Sequence, residues 1–264
     1  MNPIVVITLI CIALVTDTQS ANAQDSAEID AIANVFAADD VTGTLVVASA
    51  DRDLAYVYND ARSVTRFSPA STFKIPNTLV ALDATVVTSA ESKFTWDGTA
   101  RGVPAWNKDQ TLRSALQVSC VWCYQEIARE VGSERYTDAL AAMDYGNRQL
   151  GRHVDQFWLN GDLQISAVEQ IAFLRKLLDY SLPFQRRHVD ILKAIMLVEQ
   201  SAEYTLYAKS GWTGAELHVG WYVGFIEKGE DTWLFALNMR MDKAEQAALR
   251  KDLTIRSLQA LGII

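Results

Sequence analysis

Apolar residues recur along the chain at the two periods that regular structure imposes, and the period changes twice. Residues 28–38 place Ile29, Ile32, Val35 and Phe36 at helical spacing, which predicts an amphipathic helix. Residues 41–48 and 54–58 read as two β-rich strands, with Asp51-Arg52-Asp53 as a tight hairpin between them. From 68 to about 200 the pattern turns helical, with apolar stripes over 112–118, 121–131, 136–143, 167–178 and 187–198. Gly132 stops one of these helices and Ser166 with Glu169 forms a capping box on another, so Glu169 reads as a helix cap rather than a catalytic base. After 201 strands return over 204–210, 218–227 and 232–239, the last two joined by Lys228-Gly229-Glu230-Asp231, and a final amphipathic helix covers 243–261.

The two early and three late strands can share one antiparallel sheet, with the helical middle inserted between them in sequence and packed on one side. This predicts an α+β architecture with a sheet subdomain (24–67 and 201–264), a helical subdomain (68–200) and a cleft at their junction.

The first residues stand apart from this pattern. Residues 4–15 form an apolar run too short to span a bilayer, followed by a polar stretch and the small-x-small site Ala21-Asn22-Ala23. That order predicts a signal peptide over 1–23 and a mature chain over 24–264, exported to the bacterial periplasm and free of the membrane after cleavage. Met1-Asn2-Pro3 carries no Lys or Arg, so an uncleaved anchor is the alternative. Half the residues are hydrophobic and 21% are charged, enough for a large core, and the net charge of -8 leaves no basic stripe for nucleic acid. The mature chain is expected to be a monomer or a homodimer.

Cys11 should leave with the leader. Cys120 and Cys123 keep a Cys-x-x-Cys spacing, but no strand leads into them. Side chains three apart on a regular helix lie farther apart than a disulfide favours, so two buried thiols are expected. His153, His188 and His218 are scattered without ligand spacing, and no metal site is expected.

Candidate chemistry centres on Ser68-Pro69-Ala70-Ser71-Thr72-Phe73-Lys74-Ile75-Pro76. Ser68 suits an N-cap and Pro69 the first helical position, which puts Ser71 in a first turn whose free N–H groups favour developing negative charge. Lys74 falls on the same face, and Pro76 should distort the second turn. A Ser-x-x-Lys pair arises about once by chance in a chain of this length, so further groups must complete the site. Ser119 lies between two helical patterns, where it can cap the second or project into a cleft. Tyr145-Gly146-Asn147 reads as a turn after a helix, and Trp158 as a buried indole in a loop. Lys209-Ser210-Gly211 ends a strand, its glycine permitting close approach by a ligand or another backbone.

Taken in order, Ser71-x-x-Lys74, Ser119-x-Val121, Tyr145-Gly146-Asn147 and Lys209-Ser210-Gly211 resemble the motifs of the class D (oxacillinase-type) β-lactamases. Trp106, Trp158, Gly220-Trp221-Tyr222-Val223-Gly224 and Arg250 extend the resemblance over essentially all the mature chain. Ser210 stands where Thr is more usual, which keeps the hydroxyl. The resemblance implies the penicillin-binding-protein-like fold, an antiparallel sheet flanked by N- and C-terminal helices plus a helical subdomain. It also implies hydrolysis of penicillins and oxacillin-type β-lactams through an acyl-enzyme on Ser71, with an oxyanion hole from the N–H groups of Ser71 and Trp212. Lys74 would be N-carboxylated from CO2 or bicarbonate and serve as general base for acylation and deacylation, with Phe73, Val121 and Leu159 as apolar neighbours and the Trp158 indole as hydrogen-bond donor. Ser119 would relay a proton to the lactam nitrogen in the field of Lys209. Ser210 and Arg250 would hold the substrate carboxylate, Trp106 would wall the cleft and Tyr145 to Asn147 would shape its floor. Lys209 and Ser210 point to opposite faces of an ideal strand, so both serve one ligand only if it lies along the strand edge. The alternative is a penicillin-binding sensor that is acylated without turnover.

Overall fold

The computed structural model describes residues 13–264 except residue 215, with side chains from residue 26 onward; the expected leader, 1–23, lies outside the residues whose side chains are described. The strands are β1 (Gly43–Ser49), β2 (Ala55–Tyr58), β3 (Lys93–Phe94), β4 (Gln110–Thr111), β5 (Leu197–Gln200), β6 (Thr205–Trp212), β7 (Val219–Lys228) and β8 (Asp231–Arg240). Six of them form one antiparallel sheet in the order β2-β1-β8-β7-β6-β5, while β3 and β4 pair separately. The early strands thus join the late ones edge to edge, Gly43 lying opposite Met239. The two hairpins fall where the turn residues predict.

Helices cover both faces. They are α1 (Ala13–Ala38), α2 (Asp60–Ser63), α3 (Lys74–Asp83), α4 (Leu112–Gln117), α5 (Val121–Val131), α6 (Ser133–Met143), α7 (Ala167–Leu178), α8 (Arg186–Met196) and α9 (Leu249–Ala260). Side chains alternate across a strand, and β1 shows the result: Leu45 and Val47 join Ile32, Phe36, Leu253 and Leu258 in a core under α1 and α9. Val46 and Ala48 face the other way, into a larger core with Phe73, Leu79, Tyr124, Phe157, Trp158 and Leu174 from the helical middle. The sheet is therefore the shared wall of two cores, and the helical middle packs on one side of it as the periodicity predicts.

Several expectations need correction. Residues 197 and 198 do not continue α8; they start β5, an edge strand that pairs with β6 from Leu197↔Tyr207 to Gln200↔Thr205. The final helix splits into a 3₁₀ turn over Ala244–Ala248 and α9. Ser68 caps no helix, because tertiary partners take both its polar groups: its hydroxyl donates to the Trp158 carbonyl (2.9 Å) and its carbonyl accepts the Trp221 indole N–H (2.9 Å). A 3₁₀ turn over Ala70–Phe73 then runs into α3, with Ala70 at φ 48°. Pro76 consequently stands in the first turn of α3, where its missing N–H is tolerated.

The two cysteines are not free thiols. Cys120 and Cys123 form a disulfide with Cα atoms 5.5 Å apart. Cys120 precedes the helix at φ −53°, ψ 111°, so the regular-helix distance that argued against bonding does not apply.

Candidate active site

Ser71 sits in the 3₁₀ turn and Lys74 opens α3, both buried. Lys74 Nζ lies 2.9 Å from Ser71 Oγ and donates to it. The lysine side chain is completely enclosed, and its Nζ lies 5.1 Å from the centre of the Tyr124 ring. Burial first, and the nearby charge of Lys209 second, hold its pKa well below the ordinary lysine range, so the amine favours its neutral form. A neutral amine at that distance can take a proton from the serine.

Trp158 is fully buried and stacks on Phe73, ring centroids 5.7 Å apart at 26°. Phe157 packs edge-on against both rings at 5.0 Å. The Trp158 indole N–H is enclosed without an acceptor among the described residues, an arrangement that costs free energy unless something fills it. Of the apolar neighbours expected around Lys74, Phe73 is in the core, while Val121 and Leu159 are only half-buried.

Ser119 resolves its two readings: it does not cap α5 but adopts φ 55° and points at Lys209, whose Nζ donates to Ser119 Oγ. Cys120 takes the capping position, its sulfur accepting the Cys123 N–H at 3.3 Å. Lys209 also donates to the Ser210 carbonyl at 3.0 Å. Its pKa falls to about 7, through burial and then the charge of Arg250.

Pairing of β5 with β6 reaches only Tyr207, so β6 from Ala208 onward borders an open cleft. A volume of about 400 Å³ there is lined by Leu116, Met196, Lys209, Ser210, Tyr222 and Arg250. Lys209 and Ser210 both line it, whereas Ser71, Lys74, Ser119 and Trp158 do not. Arg250 is oriented by two backbone carbonyls, Gly211 O at 2.5 Å and Ala247 O at 3.0 Å. Gly211 passes against the 3₁₀ turn of Ser71, and Trp212 follows it with its indole bonded to Met241 O at 3.2 Å.

The remaining predicted residues are supports. Trp106 donates its indole N–H to the Val118 carbonyl at 2.9 Å and accepts from the Trp122 indole at 3.0 Å, which ties its loop to the residue before Ser119. Tyr145 is buried under Phe73 and Phe173. Gly146 has φ 54°, and a Cβ there would lie 2.1 Å from Gln164 O. Asn147 binds the loop that carries Trp158, through Asp162 O at 2.8 Å and Gln164 N at 2.9 Å. This turn therefore fixes the Trp158 loop from beneath.

Two roles are not legible in the sequence. Ser68 tethers Trp158 and Trp221, a long-range role invisible in local pattern. Tyr124 walls Lys74 while its hydroxyl bonds that of Thr78 at 2.8 Å; its place three residues after Val121, on the buried face of α5, was the available signal.

Known proteins are similar to this chain in sequence and in fold. A family model described as the penicillin binding protein transpeptidase domain covers residues 31–256. The β-lactamase OXA-48 of Klebsiella pneumoniae is 41% identical over 223 residues, 84% of either chain. OXA-2 of Salmonella typhimurium is 43% identical over 226 residues, 83% of this chain and 81% of its own. The crystal structure of the class D β-lactamase YbXI from Nostoc aligns with a TM-score of 0.85 at 38% identity, over 88% of this chain and 98% of that one. With the Ser71–Lys74 pair enclosed, Ser119 against Lys209 and relatives of this identity over most of its length, the chain belongs to the class D, OXA-type, β-lactamases.

Proposed function

We propose that this β-lactamase opens penicillins and oxacillin-type β-lactams through an ester on Ser71 and hydrolyses that ester, and so confers resistance. The carrying observation is the 2.9 Å contact between Ser71 Oγ and a fully enclosed Lys74 amine. Ser71 attacks the lactam carbonyl carbon as its proton passes toward Lys74, and the N–H groups of Ser71 and Trp212 receive the developing oxyanion. The C–N bond then breaks as Ser119 gives its proton to the departing nitrogen and takes a replacement proton from the protonated Lys209 amine that donates to it. Ser210 and Arg250 take the substrate carboxylate along the free edge of β6.

Lys74 is suited to N-carboxylation. Its neutral amine is nucleophilic toward CO2, and the Trp158 indole N–H offers a donor that nothing among the described residues uses. When bound there, CO2 supplies a carboxylate-type base for both acylation and deacylation. The chain's own part is to exclude water with Phe73, Phe157 and Tyr124, to keep Nζ unprotonated, and to aim the indole.

The sensor reading is not favoured, since the relatives are named β-lactamases. Export of a cleaved chain to the periplasm is supported by the apolar run over 4–15 and the Ala21-Asn22-Ala23 site; among the described residues no helix is long and apolar enough to cross a membrane. Turnover of a chromogenic β-lactam, checked against a penicillin, tests the proposal: many equivalents of product per enzyme are expected from the native chain and none from Ser71→Ala. Release of a single equivalent followed by a stable adduct would make the protein a sensor.

A further inference from the structure

We propose that the Cys120–Cys123 disulfide is a positioning element for ring opening: it clamps the residue after Ser119 to the first turn of α5 and so keeps the Ser119 hydroxyl beside Lys209. The inference rests on the role given above to Ser119 as the proton source for the lactam nitrogen.

Ser119 holds a left-handed conformation, φ 55°, which a non-glycine residue avoids unless its surroundings impose it. Those surroundings act from both sides. Upstream, the Val118 carbonyl is held by the Trp106 indole at 2.9 Å, and the Ser119 N–H donates to Leu116 O at 3.2 Å. Downstream, the Cys120 N–H donates to Ala115 O at 2.9 Å and its sulfur is bonded to Cys123. Both cysteines are completely buried. Returning Ser119 to a right-handed or extended conformation would swing Cys120, and the crosslink to α5 opposes that swing.

A disulfide between residues three apart closes so short a loop that it restrains the unfolded chain less than a long one would. Its leverage is local. Cys120 directly follows Ser119 in the chain, so the crosslink adjoins the residue whose hydroxyl meets Lys209. Ser71, Lys74 and Trp158 are carried by other elements, the 3₁₀ turn, α3 and the loop beneath Asn147, and Tyr124, which follows Cys123 on α5, is held independently through its hydroxyl bond to Thr78 at 2.8 Å, so loss of the disulfide should act on Ser119 before it acts on the water-dependent second step.

The test separates the two steps by quenched-flow mass spectrometry with a penicillin, in the native oxidised enzyme, Cys120→Ala/Cys123→Ala, Ser119→Ala, and the triple variant. Removing the cysteines should slow acylation about tenfold, the scale expected of a small displacement of a reacting group, and leave deacylation within about twofold of native. With Ser119→Ala already present, cysteine removal should add no further loss, because the disulfide acts through that hydroxyl. Equal slowing of both steps, unchanged acylation in a folded variant, or the same tenfold loss without Ser119 would overturn the inference. If Ser119→Ala alone leaves acylation intact, the role given to Ser119 fails; if it slows acylation and cysteine removal does not, only the inference about the disulfide fails. Should the cysteine variant not fold, native enzyme reduced with a phosphine and checked by intact mass replaces it, with the same expected loss and the same overturning results.

Discussion

Gly211 lies against Ser71: a Cβ placed on it would fall 3.3 Å from the Ser71 amide nitrogen and 2.9 Å from the Pro69 carbonyl oxygen. The end of β6 and the nucleophile's turn are thus in backbone contact, and any side chain between them must push them apart. Because Trp212 follows Gly211, that contact also sets the spacing of the two N–H groups assigned to the oxyanion.

Gly211→Ala should therefore lower kcat by about 10² or more, the usual scale for losing one oxyanion donor. The overpacking itself costs about 1–3 kcal/mol of stability. A melting curve with a steady-state penicillin assay checks both, and native kcat in the variant would remove this contact from the mechanism.

Trp158→Phe keeps an aromatic ring over Phe73 and deletes the buried N–H. Acylation should remain measurable and deacylation should slow by about 10–100-fold, since the carboxyl group proposed on Lys74 would lose its hydrogen-bond partner. Burst kinetics would show an acyl-enzyme that persists; deacylation at the native rate would take Trp158 out of the chemistry.

Removing CO2 and bicarbonate at mildly acidic pH should lower activity, and adding bicarbonate should restore it without other change. Carbon-13 labelled bicarbonate followed by NMR gives an independent signal on Lys74. Full activity in rigorously degassed buffer would refute carboxylation.

The two lysines should shape the pH profile of kcat/KM from opposite sides. Lys74 acts unprotonated, so the acid limb rises with pH; Lys209 acts protonated and titrates at about 7, so the alkaline limb falls as pH rises through that value. Lys209→Arg keeps the charge and should carry the alkaline limb far upward. An unmoved limb would assign it to another group. Stability has a definite sign as well: between about 7 and the ordinary lysine value of 10.5 the unfolded chain binds the extra proton at position 209, so this group makes the fold more stable as pH rises through that window.

Much of the fold was legible because local and tertiary demands agree. The apolar stripe over 167–178 became α7 with the bounds expected, and Ser166 and Glu169 cap it reciprocally, with Arg66 ion-paired to Glu169. Where they disagree, the local reading failed. Ser68 has every mark of an N-cap, yet a carbonyl ninety residues on takes its hydroxyl. β5 carries only four residues, half-buried or exposed, and owes its extension to pairing with β6. In the site, the order of the motif residues pointed to which side chains meet. It did not reveal that Trp106 also holds the Val118 carbonyl, or that Tyr145 to Asn147 serves the Trp158 loop, because those contacts depend on how loops cross.

The pairing of β1 with β8 has a consequence for how the molecule comes into being. The hairpin made first by the ribosome has no inner neighbour until nearly the whole chain exists, since Gly43 must find Met239, and such distant pairing is slow to form. A nascent or threading chain would stay open, pliable and exposed to proteases until its last strands emerge, and loss of even the final thirty-odd residues would leave an unclosed half-sheet prone to aggregation rather than a weaker enzyme.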